Sequence, residues 1–141
     1  MARVEEAVSR LGKVDLFEGL PTGVLLKVAM LGEERTFDPG TAMVREGESG
    51  GGLFVIFEGE ASVTVGGQER ARLSAGEYFG EISLLDDEPR SATVTANGTV
   101  RAFSLPSFTF RPLLEEHFEV ADRVILRLCQ RLRAAEHQIA P

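Results

Sequence analysis

The stretch LFVIFEGEASVTVGG, residues 53–67, joins a continuously apolar run to an alternating one. Leu53–Phe57 is apolar without a break, which is typical of a central strand. Residues 61–65 alternate apolar and hydroxyl side chains, so one face of a second strand is expected to be buried. Gly66 and Gly67 can both adopt positive φ, as a tight type I′ hairpin requires. The stretch therefore predicts short strands joined by tight turns.

The same pattern extends in both directions from this stretch. Turn residues recur about every ten residues between residues 34 and 105, which is typical of an all-β barrel or sandwich. The intervening runs TAMVRE, ARL, SATVTA and TVRAFSL read as further strands, and Asn97-Gly98 predicts a second tight hairpin. We expect a mainly β fold with flanking helices in a single domain.

Helical spacing appears before and after the predicted barrel. Residues 1–33 suggest two short helices separated by a turn at Gly19–Pro21, and residues 107–139 suggest C-terminal helices. One apolar stripe has heptad spacing: Phe118, Ala121, Ile125, Leu128, Leu132, Ala135 and Ile139. This stripe either packs on its own barrel or pairs with a second copy of the chain.

Composition excludes several classes of function. The net charge of −7 and the scattered arginines argue against a nucleic-acid partner. The sequence contains no apolar run long enough for a membrane span and no signal-peptide pattern, so a cytoplasmic location is expected. Metal-dependent barrel enzymes need histidines on their strands, whereas His117 and His137 lie in the helical tail. Asp86-Asp87-Glu88 reads as a solvated loop tip. The sequence thus predicts neither an enzyme nor a cofactor.

The segment GEYFGEISLLDDEPRSATV, residues 76–94, carries the chemistry. Gly80 allows a sharp turn and a close ligand approach, and residues 81–85 can form one helical turn whose N–H groups favour an anion. Arg90 offers a planar donor fork that suits phosphate. Glu81 would repel a phosphate unless it accepts a hydroxyl group. A ligand with a phosphate beside a sugar hydroxyl satisfies both side chains. The alternative from spacing alone is a surface ion pair between Glu81 and Arg90.

Residues 79–85 (FGEISLL) and 89–94 (PRSATV) resemble the phosphate-binding cassette of cyclic nucleotide-binding domains. These domains occur in catabolite activator proteins, regulatory subunits of cAMP-dependent kinase and cyclic-nucleotide-gated channels. The resemblance covers roughly residues 11–132 and includes Leu16-Phe17, Gly19-Leu20, Phe37, Pro39-Gly40, Arg45–Glu48, residues 53–59 and Gly76. It implies a double-stranded β-helix, or jelly-roll, barrel with a cassette at residues 79–94 and a long C-terminal lid helix.

The resemblance also implies a role for each cassette residue. Glu81 would accept the ribose 2′-hydroxyl, Arg90 would pair with the cyclic phosphate, and Ser91 would donate to the phosphate or the base. The remaining implied ligand-binding positions are Gly80, the backbone amides near Ile82, Ser83 and Ala92, and the apolar side chains of Val63 and Leu73. In this family alanine after the arginine often accompanies cAMP and threonine cGMP. Ser91 therefore leaves cGMP open beside the favoured cAMP.

The C-terminal helix resembles the family's lid, and two of its arginines are candidates for a role there. Arg131 either caps the base or is a solvated charge on the helix face, and Arg127 is a further lid candidate. Cys129 is expected to be a small buried apolar residue.

The function implied is a stand-alone, non-enzymatic cyclic nucleotide sensor that moves its C-terminal helix and acts on an effector that the sequence does not identify. One alternative is a degenerate barrel that mediates dimerisation without a nucleotide. Another is a cyclic dinucleotide receptor.

Overall fold

The fold is described by a computed structural model that covers residues 2–86 and 88–139, apart from the side chains of Ala2, Ser83, Leu84, Gln138 and Ile139. The helices are α1 Ala2–Leu11, α2 Thr22–Leu31, α3 Glu81–Asp86, α4 Ser107–Glu116 and α5 Phe118–Ile139. The strands are β1 Glu33–Phe37, β2 Ala42–Val44, β3 Gly52–Glu58, β4 Ala61–Val65, β5 Gln68–Leu73, β6 Tyr78–Phe79, β7 Thr93–Ala96 and β8 Val100–Pro106. None of these helices is both long and apolar enough to span a membrane.

The strands form two antiparallel sheets of four strands each, in the orders β1-β8-β3-β6 and β2-β7-β4-β5. Helices α1 and α2 precede this barrel, and α4 and α5 follow it. The predicted jelly-roll barrel with flanking helices is confirmed. Between β6 and β7 the chain forms the short helix α3, which carries the first part of the cassette.

Strand β3 lies between β8 and β6, which explains its unbroken apolar run. Leu53, Val55 and Phe57 pack into a helical core shared with the flanking helices. Phe54 and Ile56 point into a separate barrel core between the sheets. Because each face of the strand meets its own apolar core, no position in Leu53–Phe57 can be polar without a buried partner.

The sequence predicts tight hairpins at Gly66-Gly67 and at Asn97-Gly98, and the structure confirms the first but not the second. Gly66 and Gly67 have φ values of 58° and 80°, and the loop joins β4 to β5 with Val65 opposite Gln68, so the predicted hairpin is confirmed. The hairpin predicted at Asn97-Gly98 is wrong, because β7 and β8 belong to different sheets. The loop at Asn97-Gly98 instead leads the chain from one sheet to the other, and the side-chain amide of Asn97 donates a hydrogen bond to the Ser62 hydroxyl at 2.6 Å.

Helix α5 packs on the protein mainly through residues outside the predicted heptad stripe, and Leu128 of the stripe joins them. Val120 and Val124 are buried in the helical core and Leu128 packs partly against it. Of the stripe, Phe118, Ile125 and Leu132 are 72%, 52% and 62% exposed, and the side chain of Ile139 lies outside the described residues. Packing of the whole stripe on its own barrel is therefore wrong. Cys129 was also predicted wrongly: it is exposed, because it lies one residue beyond Leu128 and so about 100° further round the helix.

Candidate functional site

A cavity of about 690 Å³ lies between the β4–β5 hairpin, the cassette and helix α5. The predicted residues that line it are Gly80, Glu81, Ile82, Arg90, Ser91, Ala92 and Arg131, together with Val63, Leu73 and Arg127. Ser83 belongs to α3 by its backbone, but its side chain lies outside the described residues. Residues that are far apart in the sequence, on strands, on the short helix α3 and on α5, therefore line the same cavity.

The backbone conformation and the close packing at residue 80, immediately before α3, both require glycine. Its φ is +101°, and a Cβ added there would overlap the carbonyl oxygen of Gly52. The same carbonyl accepts a hydrogen bond from Nη1 of Arg90 at 3.0 Å. Gly80 therefore allows β3, α3 and Arg90 to approach one another closely.

Arg90 is a partly buried cation without a carboxylate partner within salt-bridge distance in the described part of the chain. Its backbone is anchored to the loop before β3: its N–H donates to Glu48 O and its carbonyl accepts from Gly47 N, both at 2.8 Å. Burial lowers the pKa of the Arg90 guanidinium, and the charge of Glu48 opposes this shift. A desolvated cation with one carbonyl contact retains donors for an anion in the cavity.

Glu81 is almost completely buried, at 1% exposure. Its Oε1 accepts from Nη1 of Arg131 at 2.6 Å, whereas its Oε2 is buried without a hydrogen bond in the described structure. Burial raises the pKa of the Glu81 carboxyl, and the nearby Arg131 and Arg127 oppose this effect. The alternative of a surface ion pair between Glu81 and Arg90 is thus wrong, since the partner of Glu81 is Arg131. The alternative of Arg131 as a solvated charge is wrong for the same reason.

The charge of the lining is opposite to that of the whole chain. The charged lining residues are Arg70, Arg72, Arg90, Arg127, Arg131, Glu77 and Glu81, in a chain whose net charge is −7. Arg72 is tied to Glu69 and Glu60 at 3.1 and 3.2 Å. Arg70 is the extra residue of a β-bulge, since Val63 pairs with Ala71 and Thr64 with Glu69. The cavity therefore concentrates positive charge where an anionic ligand would enter.

Sequence reasoning missed two polar residues near Glu81, Tyr78 and Asp15. The Tyr78 hydroxyl is buried without a well-formed hydrogen bond in the described structure. Burial and the nearby Asp15 raise the pKa of Tyr78. Asp15, Tyr78 and Arg127 also share a smaller cavity of about 160 Å³ beside the first. Tyr78 lies two residues before Gly80, in the quoted segment 76–94, so its position was a usable signal; nothing in the sequence indicated Asp15.

Known proteins share both the sequence pattern and the geometry. The family described as the cyclic nucleotide-binding domain matches residues 34–117. A cyclic nucleotide-gated potassium channel of Mesorhizobium japonicum is 38% identical over 77% of this chain and 30% of the channel. A cAMP-dependent protein kinase regulatory subunit of Yarrowia lipolytica is 44% identical over 55% of this chain and 21% of the subunit.

Solved structures agree with these sequence matches. The regulatory domain of Toxoplasma gondii PKA, crystallised with cAMP, superimposes with a TM-score of 0.81 at 29% identity, over 92% of this chain and 51% of that one. The chain thus spans about half of that structure and less than a third of the two curated relatives. The fold, the cassette and the match over residues 34–117 lead to one conclusion: the chain belongs to the cyclic nucleotide-binding domain family.

Proposed function

We propose that this chain is a non-enzymatic regulatory module that binds a cyclic mononucleotide, cAMP or cGMP, in the cavity of about 690 Å³. The observation that carries the proposal is Arg90, a partly buried guanidinium without a carboxylate partner in the described structure, which lines the same cavity as a buried carboxylate that is paired elsewhere. A buried cation is costly unless an anion approaches it. A cyclic phosphate supplies that anion, and its ribose supplies a hydroxyl for Glu81.

Each cassette residue then has a defined task. Arg90 donates to the phosphate, and the backbone amides near Ile82, Ser83 and Ala92 complete the anion site. Glu81 accepts the 2′-hydroxyl. Val63 and Leu73 of the β4–β5 pair provide an apolar wall for the base. Ser91, which is exposed at the rim, is placed to contact the phosphate or the base.

Binding would be transmitted through α5. This helix reaches the cavity through Arg127 and Arg131, near its middle, and is anchored near its start by Val120 and Val124. A ligand shifts the helix only if it binds more tightly to one helix position than to another. Because Glu81 contacts α5 directly, the ligand's contact with Glu81 provides that difference.

Isothermal titration calorimetry with cAMP, cGMP and a cyclic dinucleotide tests the proposal. We expect a roughly micromolar or tighter dissociation constant for one of the mononucleotides. Replacement of the phosphate donor in Arg90→Gln should weaken binding by about a hundredfold or more. The control Arg133→Gln removes the same charge from an exposed position of α5 and should bind like the parent. Failure of both mononucleotides, or equal binding by Arg90→Gln, would reject the function.

A second proposal concerns the partner: two copies of the chain associate through α5. The supporting observation is the exposed apolar set Phe118, Ile125 and Leu132, which repeats every seven residues along the helix. A stripe with this repeat matches the seam of a parallel coiled coil. This association is independent of the cassette, so it would also serve the alternative of a barrel that acts without a nucleotide.

A further inference from the structure

A second cavity, of about 250 Å³, lies next to the proposed nucleotide site. It is lined by residues of β1, β2, β3 and β8 and of the loop between β2 and β3. Arg90 and Val44 line both cavities, so they form the wall between them. The cassette arginine therefore borders two spaces, and the proposed function uses only one of them.

The second cavity contains a further arginine, Arg35 of β1. Its guanidinium carbon lies 4.9 Å from the ring centroid of Phe37 and 5.9 Å from that of Phe54. Arg35 makes no ion pair with a carboxylate in the part of the chain that the structure describes. Stacking uses the faces of the planar guanidinium, so the N–H donors in its plane remain available to a ligand.

Several other groups in the lining of the second cavity can donate hydrogen bonds. Ser49 and Ser104 contribute hydroxyl groups. The backbone N–H groups of residues 49–51 donate to no backbone carbonyl among the described residues. Glu48, the carboxylate among the described lining residues, is exposed and accepts the N–H of Arg45 at 3.1 Å. Two guanidinium groups against one exposed carboxylate make the lining net positive, which favours an anion.

We propose that this second cavity is an anion site, which holds a small tetrahedral oxyanion such as inorganic phosphate between Arg35 and Arg90. Its volume of about 250 Å³, against about 690 Å³ for the first cavity, suits a small ion rather than a whole nucleotide. Burial lowers the pKa of the Arg90 guanidinium, which shows that its charged form is poorly solvated. An anion in the second cavity would offset the cost of burying that charge.

The anion site is coupled to the nucleotide site, because Arg90 borders both. The coupling rests on the proposed function, whereas the anion site does not. Nη1 of Arg90 already donates to the Gly52 carbonyl at 3.0 Å, so two anions would share the remaining donors. The two anions also repel each other. Phosphate should therefore weaken nucleotide binding, and the nucleotide should weaken phosphate binding by the same factor.

An NMR titration of the protein without nucleotide tests the anion site, with inorganic phosphate as the probe. Phosphate replaces chloride at constant ionic strength, so that general salt effects cancel. The amide signals of Gly50 and Gly51 should shift and saturate with a dissociation constant of about a millimolar in the parent. In Arg35→Gln the affinity for phosphate should fall about tenfold or more, and in Arg35→Lys it should be intermediate. The control Arg45→Gln removes the same charge from an exposed position outside the lining and should behave like the parent.

Calorimetry with cAMP at increasing phosphate measures the coupling. In the parent and Arg45→Gln the dissociation constant of cAMP should rise about three- to tenfold and then level off, because the anion site is then filled. Direct competition at the cassette would instead raise the constant without limit. Arg35→Gln should bind cAMP like the parent in chloride and should lose the saturating response to phosphate. Thermal melts check that each variant is folded.

Three results would overturn the inference. Signals of Gly50 and Gly51 that ignore phosphate, or that respond equally in Arg35→Gln, show that the second cavity is not an anion site. A dissociation constant of cAMP that rises in proportion to phosphate in every variant shows that phosphate only competes at the cassette. Phosphate that strengthens cAMP binding contradicts the negative coupling. If phosphate shifts the signals but neither mononucleotide binds, the anion site stands and the proposed function fails.

Discussion

At the scale of single residues, the cavity depends on two charges that do not neutralise each other. Arg90 is held by a backbone carbonyl, and Glu81 is held by an arginine from another helix. A direct pair between Arg90 and Glu81 would satisfy both groups and close the site. Their separate anchoring instead leaves each with unused hydrogen-bonding capacity, and both residues line the same cavity.

Gly80→Ala should destabilise the protein and weaken nucleotide binding. A methyl group there meets the Gly52 carbonyl oxygen, in addition to the strain of a φ of +101°. We expect a loss of about 2–4 kcal/mol in the free energy of unfolding, measured by urea denaturation. The matched control is Gly98→Ala, where φ is +113° and nothing lies within 4 Å of the added carbon. It should lose about 1–2 kcal/mol, from backbone strain alone. Equal losses in the two variants would show that the close approach at Gly80 is not important.

At the scale of elements, α5 has three functional faces. Val120 and Val124 pack on the helical core, whereas Arg123, Arg127 and Arg131, spaced four residues apart, face the turn after α1 and the cavity. Nη1 of Arg123 donates to the carbonyl of Asp15 at 3.2 Å. Phe118, Ile125 and Leu132 of the heptad stripe form the third face and are exposed. The part of α5 around Arg127 and Arg131 is held mainly by polar contacts, so it can be repositioned at a lower cost than the part packed through Val120 and Val124.

Leu132→Glu should prevent association through α5 without unfolding the chain, because Leu132 is 62% exposed. Light scattering of the parent should give twice the mass of one chain, 15.3 kDa, and the variant should give the mass of one chain. Leu128 is a poorer target because it also packs against the helical core. Glu136→Gln is the control, since it alters an exposed polar position of the same helix and should keep the dimer mass. A parent that scatters as one chain over the whole concentration range would contradict the dimer.

At the scale of the whole molecule, Arg101 of β8 links the barrel to the N-terminal helix. Its guanidinium contacts Glu34 at 2.7 Å and both Glu6 and Glu58 at 2.8 Å. Hydrogen bonds from Arg101 are the main cause that lowers the pKa of Glu6 and Glu58. The stabilisation is therefore present above the pKa that these carboxylates have in the unfolded chain, and it is lost as the pH falls through their lower folded values.

Arg101→Gln should lower the free energy of unfolding at neutral pH, because three carboxylates lose their shared cation. The difference from the parent should be smaller at about pH 3 than at neutral pH, because the pH then approaches the lowered pKa values of Glu6 and Glu58. Chemical denaturation at the two pH values measures it. Arg72→Gln is the comparison, since Arg72 also pairs with two glutamates but its side chain is 60% exposed, against 20% for Arg101. Arg72→Gln should lower the free energy of unfolding by less than Arg101→Gln does. An equal decrease in the two variants would contradict the structural role of Arg101.

The sequence predicts most of this fold because its signals are local. The glycine pair at residues 66–67 and the apolar run of β3 each determine one element, and both were interpreted correctly. The signal at Asn97-Gly98 was equally local, but whether two strands share a sheet depends on long-range pairing that a dipeptide does not encode. The Arg131–Glu81 bond joins residues 50 positions apart and depends on the rotation of α5. That rotation is set by Val120 and Val124, which the heptad pattern does not contain.

The central claim is that the cavity holds a cyclic mononucleotide by its phosphate and its sugar. A crystal structure of the protein with cAMP tests this claim most directly. The account predicts the cyclic phosphate within hydrogen-bonding distance of the Arg90 guanidinium and the 2′-hydroxyl within hydrogen-bonding distance of the Glu81 carboxylate. Nucleotide density at any other place, or a cavity in saturated crystals that contains only solvent, would contradict it.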